Sequence, residues 1–202
     1  MKFFKKIFVF TFISLIAISC TADRFQGSGW SSPFVHNDNV YVATIDGELI
    51  SINIENASEN WRAVSLDDDD KKFVAKAIYS KPFIFDNKVF IGTSAGKILG
   101  FNQQTGLDEV SLQDIEEKVL LSEENFGPMI VGNIVSKDKK IFIPASNGEL
   151  LVFEYNELEM FEPVCSYNAQ KAIWNTPLID DKNEQIIFGS MDGYLYSVDD
   201  KC

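Results

Sequence analysis

One short pattern of residues occurs four times along this chain, and it restricts the fold more than any other feature. The second copy reads Tyr79-Ser80-Lys81-Pro82, an apolar run, Asp86-Asn87-Lys88, Val89-Phe90-Ile91-Gly92-Thr93-Ser94-Ala95-Gly96, then Lys97-Ile98-Leu99-Gly100-Phe101. The fourth reads Trp174-Asn175-Thr176-Pro177, Asp180-Asp181-Lys182, Ile186-Ile187-Phe188-Gly189-Ser190-Met191-Asp192-Gly193, then Tyr194-Leu195-Tyr196-Ser197-Val198. The opening prolines Pro33, Pro82, Pro128 and Pro177 are spaced 49, 46 and 49 residues apart, and the turn glycines Gly47, Gly96, Gly148 and Gly193 are spaced 49, 52 and 45. Two kinds of marker keeping one period imply stacked units that share a core, which places function on the surfaces of the array.

Alternation and β-branched or aromatic content make each unit a set of strands. In the first unit Pro33-Phe34-Val35 leads to a turn at His36-Asn37-Asp38-Asn39, and Val40 to Thr44 leads to a turn at Ile45-Asp46-Gly47. Glu48 to Ile54 then alternates polar and apolar residues, and a fourth strand is expected around Trp61-Arg62-Ala63-Val64. Asp46-Gly47, Asn147-Gly148 and Asp192-Gly193 are hairpin dipeptides, because such turns need positive φ. The fold class is all-β, four repeats of an antiparallel four-stranded sheet over about 28–66, 74–113, 125–165 and 172–202. An aromatic residue precedes each proline: Trp30, Tyr79, Phe126 and Trp174. These rings are expected to fill the gaps between neighbouring sheets. The proline-to-glycine distance is 20 residues in unit three against 14, 14 and 16 elsewhere, which predicts a longer first hairpin near Gly132-Asn133 or Ser136-Lys137-Asp138.

Short four-stranded sheets at this period fit a β-propeller. The run Ile187 to Val198, with Gly189-Ser190, Asp192-Gly193 and Leu195-Tyr196-Ser197-Val198, resembles the repeats of pyrroloquinoline-quinone-type (PQQ-like) propellers. The resemblance covers residues 28–202 and implies a fold rather than an activity. The fourth unit reaches Asp199-Asp200-Lys201-Cys202 without an outer strand. Three arrangements stay open: an incomplete or half propeller that is a fragment or split product, two chains completing one eight-bladed ring, or four blades closed by a strand from Thr21 to Ser28.

Residues 1–19 read as a signal peptide: Lys2, Lys5 and Lys6 precede an apolar run from Ile7 to Ile18 that is short for a bilayer span. Ala17-Ile18-Ser19-Cys20 resembles a lipobox, which implies lipidation (palmitate included) at Cys20 and a lipidated linker over 20–27. Thr21 after the cysteine, rather than Asp, resembles an outer-membrane address. A lipid anchor joined to this propeller type resembles the BamB family of the outer-membrane assembly machinery, at about half its repeat count. That resemblance implies a non-enzymatic protein-binding scaffold facing the periplasm, with envelope proteins and the β-barrel assembly machinery as partners. Two rival readings are a fragment or split chain of a quinoprotein dehydrogenase, and a ligand- or sugar-binding surface lipoprotein.

Composition excludes other classes. The chain carries −12, and loss of the three lysines of residues 1–19 leaves −15. Arg24 and Arg62 are the only arginines, so a phosphate-binding basic patch is absent and nucleic acid is not a partner. His36 is the single histidine and reads as a solvated turn residue. Asp67 to Asp70 lack the alternating spacing of a calcium loop and read as a solvated linker. Asp114 to Asn125 is an acidic connection with Ile115, Val119 and Leu120 on one face. Gly189-Ser190 is no nucleophile elbow. No catalytic, metal or cofactor site is therefore expected. With Cys20 lipidated, Cys165 and Cys202 remain; the plainer reading leaves two unpaired thiols, and a periplasmic disulfide is the alternative.

Overall fold

The structure is a computed structural model that describes residues 31–44, 47–64, 77–94, 96–111, 129–156 and 161–201. Four antiparallel sheets follow one another along the chain. The first contains β1 (Phe34–His36), β2 (Asn39–Ala43), β3 (Glu48–Asn53) and β4 (Glu59–Val64) in sequential order. The second contains β5 (Phe83–Phe85), β6 (Lys88–Gly92), β7 (Ile98–Asn102) and β8 (Asp108–Ser111). The third contains β9 (Val135–Lys137), β10 (Lys140–Pro144), β11 (Glu149–Tyr155) and β12 (Phe161–Asn168). The fourth has three strands among the described residues: β13 (Leu178–Asp180), β14 (Gln185–Gly189) and β15 (Leu195–Asp199).

Turn chemistry sets this pattern. The first hairpins use positive φ at Asn37, Asp86, Asn87 and Asp138, residue types that tolerate the left-handed region. The second hairpins place Gly47, Gly96, Gly148 and Gly193 at φ between 77° and 93°. Gly148 is doubly constrained, since a Cβ there would lie 2.8 Å from the Lys171 backbone nitrogen and 2.9 Å from its oxygen.

Register assigns each sheet two apolar faces. In the second sheet Ile84, Val89 and Phe101 form one row and Ile91 and Leu99 another, all on one face. These five pack against Phe34, Tyr41, Leu49, Trp61 and Ala63 of the first sheet. The opposite face carries Phe83, Phe90 and Ile98, which pack against Ile141, Ile143, Leu151 and Phe153 of the third sheet. The third sheet turns Phe142, Leu150 and Val152 toward Ile186 and Phe188 of the fourth. Three cores therefore join four sheets in sequence, and no core joins the first sheet to the fourth among the described residues. This is the unclosed arc of a partial propeller, one of the arrangements that the repeats left open.

Two sequence expectations change. The long spacing in unit three does not lengthen its first hairpin, because Lys137 and Lys140 bracket the same two-residue turn as Phe85 and Lys88. The extra residues precede β9, where Ile134 occupies the place held by Pro82 before β5 and Pro177 before β13. Counted from Ile134, the distance to Gly148 is 14 residues, as in units one and two. The aromatics also differ from their expected role. Trp174 is 50% exposed, and Tyr79 is half-buried. A different position fills the gap: Ile78, Ile130 and Ile173 lie four residues before Pro82, Ile134 and Pro177 and are buried. Trp30, Phe126 and Pro128 lie outside the described residues.

The unpaired-thiol reading of Cys165 is also corrected: Cys165 is disulfide-bonded. The chain end lies over the face that carries it. Tyr167, two residues on, donates from its hydroxyl to the Asp199 carbonyl at 2.6 Å. Cys20 and Cys202 lie outside the described residues.

These assignments separate by denaturation. Ile173→Ala is expected to cost about 2–4 kcal/mol of stability through the cavity it leaves, and Trp174→Ala at most about 1 kcal/mol. Urea midpoints in the reverse order would restore the aromatic as the packing residue. Gly193→Ala, with no atom near its added Cβ, is expected to cost about 1–2 kcal/mol for its backbone conformation alone, and Gly148→Ala clearly more. The same midpoints check this second order.

Candidate interaction surfaces

A polar relay links the segments that precede the sheets. Ser31 Oγ donates to the Ser80 carbonyl at 2.9 Å, and Lys81 N donates to Asn133 Oδ1 at 2.7 Å. Asn133 Nδ2 in turn donates to Thr176 Oγ1 at 2.8 Å. Within sheets, buried Ser80 Oγ both donates to the Gly92 carbonyl and accepts from its N–H at 3.0 Å. Asn175, with its amide oriented to suit, makes the equivalent pair with Gly189. Gly132 takes that place before the third sheet, where Pro144 has no N–H to satisfy. These contacts satisfy backbone groups at the start of the second and fourth blades, and the relay fixes successive blades to one another.

The two ends of the array differ from its interior. On the outward side of the first sheet, register groups Val35 with Val40 and Ile52, and Val42 with Ile50. Val35 is 60% exposed, and the other four are half-buried. On the outward side of the fourth sheet, Leu178, Ile187 and Ser197 share a row beside Gly189 and Leu195. Leu178 and Leu195 are 62% and 76% exposed. Trp174, Met191 and Tyr194 add further exposed apolar surface around that unit. Each end is therefore an apolar sheet face without a packed neighbour among the described residues. The sequence shows the alternation, but only the register reveals which residues share a face and which faces lack a mate.

A charged cluster gathers at the C-terminal end. Lys137 Nζ pairs with Asp200 and, at 3.2 Å, with Asp181. Lys140 Nζ donates to the Asp200 and Lys201 carbonyls at 3.1 and 3.2 Å. Lys201 pairs with Glu184. The Lys137 ammonium holds the Asp200 carboxyl below its ordinary value, and Asp200 raises Lys137 in turn. The lysines and carboxylates of this cleft offset one another, so it presents no net anion site. Its role is to tie residues 199–201 onto β9 and β10.

The sequence-predicted residues divide accordingly. Gly47, Gly96, Gly148 and Gly193 are the positive-φ hairpin residues, and Pro82 and Pro177 are buried at strand starts while Pro33 is exposed. His36 ends β1 instead of lying in the turn, with its ring stacked 6.3 Å from Phe34. Cys20, Asp67 to Asp70 and Asp114 to Asn125 lie outside the described residues. Among the described residues no three His, Cys, Asp or Glu side chains are grouped to hold a metal ion.

Comparison with known proteins places this geometry in context. A family profile described as outer membrane protein assembly factor BamB matches residues 22–200. The crystal structure of BamB from Moraxella catarrhalis superposes with a TM-score of 0.59 at 15% identity, over 83% of this chain and 42% of that one. The computationally designed Ika4 protein superposes with a TM-score of 0.59 at 14% identity, over 85% of this chain and 93% of that one. A quinohemoprotein alcohol dehydrogenase from Pseudomonas putida HK5 gives 0.62 at 15% identity, over 83% of this chain and 32% of that one. These identities show a shared fold alone, and the chain spans less than half of the BamB structure. No curated protein matches the chain.

Asp200 has a pH signature. A carboxyl with a lowered folded value stabilises fully above the ordinary aspartate value of 3.8 and loses that contribution as pH falls through the lowered value. Protection of the Asp200 amide relative to its intrinsic exchange rate, set by the N–H that donates to the Glu184 carbonyl at 3.2 Å, is therefore expected to persist at mildly acid pH and to be lost only below that value. Lys137→Met is expected to move the transition upward, toward the ordinary aspartate value; an unmoved transition would separate Asp200 from Lys137.

Proposed function

The chain belongs to the BamB family of PQQ-like propeller proteins, and from that premise we propose that it is a lipid-anchored scaffold of the bacterial envelope that works by binding other proteins. The observation that carries this reading is the extent of the family match, which begins at residue 22, two residues after Cys20. An anchor at that cysteine would leave the whole propeller segment at a membrane surface, with residues 1–19 removed as the signal peptide. The assignment to the outer membrane, facing the periplasm, rests on Thr21 and on the family. The outer-membrane β-barrel assembly machinery is the proposed partner.

A binding role rather than an enzymatic one accords with what the repeat preserves. Its recurring residues set turns, relays and cores, so the groups left for recognition are exposed ones. Five of the ten large apolar side chains that are exposed among the described residues belong to the fourth unit: Trp174, Leu178, Met191, Tyr194 and Leu195. Solvent-facing apolar surface rimmed by polar residues is the usual material of protein contacts. The dehydrogenase likeness is one of fold at 15% identity and carries no substrate or cofactor to this chain.

The reading is tested in two steps. Palmitate labelling of the full chain in a bacterial host, sensitive to globomycin, is expected for the native chain and lost in Cys20→Ala; labelling that survives the substitution would remove the anchor. Affinity capture of the native chain from detergent-solubilised envelopes is expected to enrich the barrel-assembly proteins several-fold over the Cys20→Ala control. Equal recovery in both would leave the family membership and remove the assembly role.

A further inference from the structure

We propose that Cys165 is bonded to Cys202, so that a disulfide staples the outer strand of the third sheet to the turn that follows β15. Cys165 is disulfide-bonded, and the sequence holds two other cysteines, Cys20 and Cys202. The repeat decides between them, because the first two blades show what the place held by Cys165 touches.

Cys165 holds the place of Trp61. Cys165 pairs with Val152 and Trp61 with Ser51, each partner four residues beyond its turn glycine, Gly148 or Gly47. In both sheets the register shifts immediately after that pair. Trp61 reaches the next blade at the turn after β7: its Nε1 donates to the Gln103 carbonyl at 3.0 Å, and Gly106 lies against its ring. The turn after β15 is built the same way. The Asp200 N–H donates to the Glu184 carbonyl at 3.2 Å, as the Gln103 N–H donates to the Asn87 carbonyl at 3.3 Å. The Lys201 N–H donates to Asp199 Oδ1 at 2.6 Å, as the Gln104 N–H donates to Asn102 Oδ1 at 2.9 Å. Counted on from Gly193 and Gly96, Asp200 matches Gln103 and Cys202 matches Thr105. Thr105 lies between the two residues that Trp61 touches, so the repeat sets Cys202 opposite Cys165.

Contacts beside the pair agree. Cys165 and Tyr167 both pack on the core shared with the fourth sheet, and the Tyr167 hydroxyl donates to the Asp199 carbonyl at 2.6 Å. Cys20 precedes the first sheet, whose core is shared with the second sheet and not with the third among the described residues. What Trp61 does by packing and one hydrogen bond, the third blade does with a covalent bond. Closing it takes an external disulfide. One cysteine thiolate attacks that disulfide and releases one of its thiols. The second thiolate then displaces the other, and two electrons and two protons end on the reduced dithiol. A dithiol–disulfide oxidant of this class is found in an oxidising compartment, so formation in cells rests on the envelope location proposed above, while the pairing itself does not.

The test uses the full chain recovered from envelopes, alkylated, and cut after glutamates without reduction. Residues 160–184 and 185–202 are expected as one linked species that separates on reduction. Cys165 linked to Cys20 or to a second Cys165 overturns the proposal. Reduced, purified chain exposed to oxidised glutathione is expected to form the same link, and failure there overturns it as well. Free thiols in the cellular chain together with correct pairing in glutathione would count against the location and support the pairing. Stability gives a second readout. Cys202→Ser, Cys165→Ser and reduction of the wild type are each expected to lower the thermal midpoint by about 5–10 °C. The double variant is expected to lose no more than either single one, because all remove one bond. A Cys202→Ser chain as stable as the oxidised wild type would leave Cys165 a packing residue and overturn the staple.

Discussion

The sheets of this protein are apolar on both sides, and the rest of the structure depends on that property. A strand with one wet face alternates polar and apolar residues, whereas β6 buries all five of its residues from Lys88 to Gly92. A sheet of such strands gains its stability only between two neighbours. Each fully buried Phe or Ile contributes about 1.5–3 kcal/mol, so the cores around Phe90, Phe101, Phe142 and Phe153 outweigh any hydrogen bond at their edges. Stability in this arrangement is a sum over neighbours, as in other repeat architectures. An interior blade has two, and an end blade has one.

Polar interactions set the order and rotation of the blades rather than their cohesion. Trp61 shows the division of labour: its ring belongs to the core between the first two sheets, while Nε1 donates to the Gln103 carbonyl at 3.0 Å. Gly106, at φ 70°, lets the following turn lie against that ring, since a Cβ there would fall 2.6 Å from it. Lys88 is a sharper case. Its ammonium is buried and donates to the Tyr155 hydroxyl at 3.3 Å, across the junction of the second and third sheets. Burial pushes the Tyr155 hydroxyl upward from its ordinary value, so it remains a neutral partner at neutral pH.

How much of this was legible in the sequence depended on whether a residue acts locally. The turn glycines were, because positive φ is a property of one position, and Asp192-Gly193 or Asn147-Gly148 announces it. The all-β class and the blade count followed from the same turns. Unit three misled because Pro128 kept the period roughly while Ile134 kept the structure. Both can start a strand, and proline is merely the more conspicuous. The aromatics misled for a related reason. Ring size suggested core filling, but the segments before the second, third and fourth blades turn Ile78, Ile130 and Ile173 inward, and Trp174 faces out. That orientation is set by contacts between blades, which one repeat read alone does not contain. The same holds for the end faces: Val35, Val40 and Val42 look like any other strand residues until their equivalents in the second sheet are seen to be covered.

Repetition also explains why the fold says more than the family can about activity. A residue that recurs in every blade is retained by packing, and neighbours as different in name as an assembly factor and an alcohol dehydrogenase superpose on it. What distinguishes this chain must therefore lie where the repeat is broken. Two such places are described: the charged tie of Lys137, Lys140 and Asp200, and the exposed Met191 and Tyr194. The first holds the last described residues to the third sheet. The second is apolar and oriented outward. On a chain whose overall charge is −12, such surfaces are where association with another protein surface gains most by removing water.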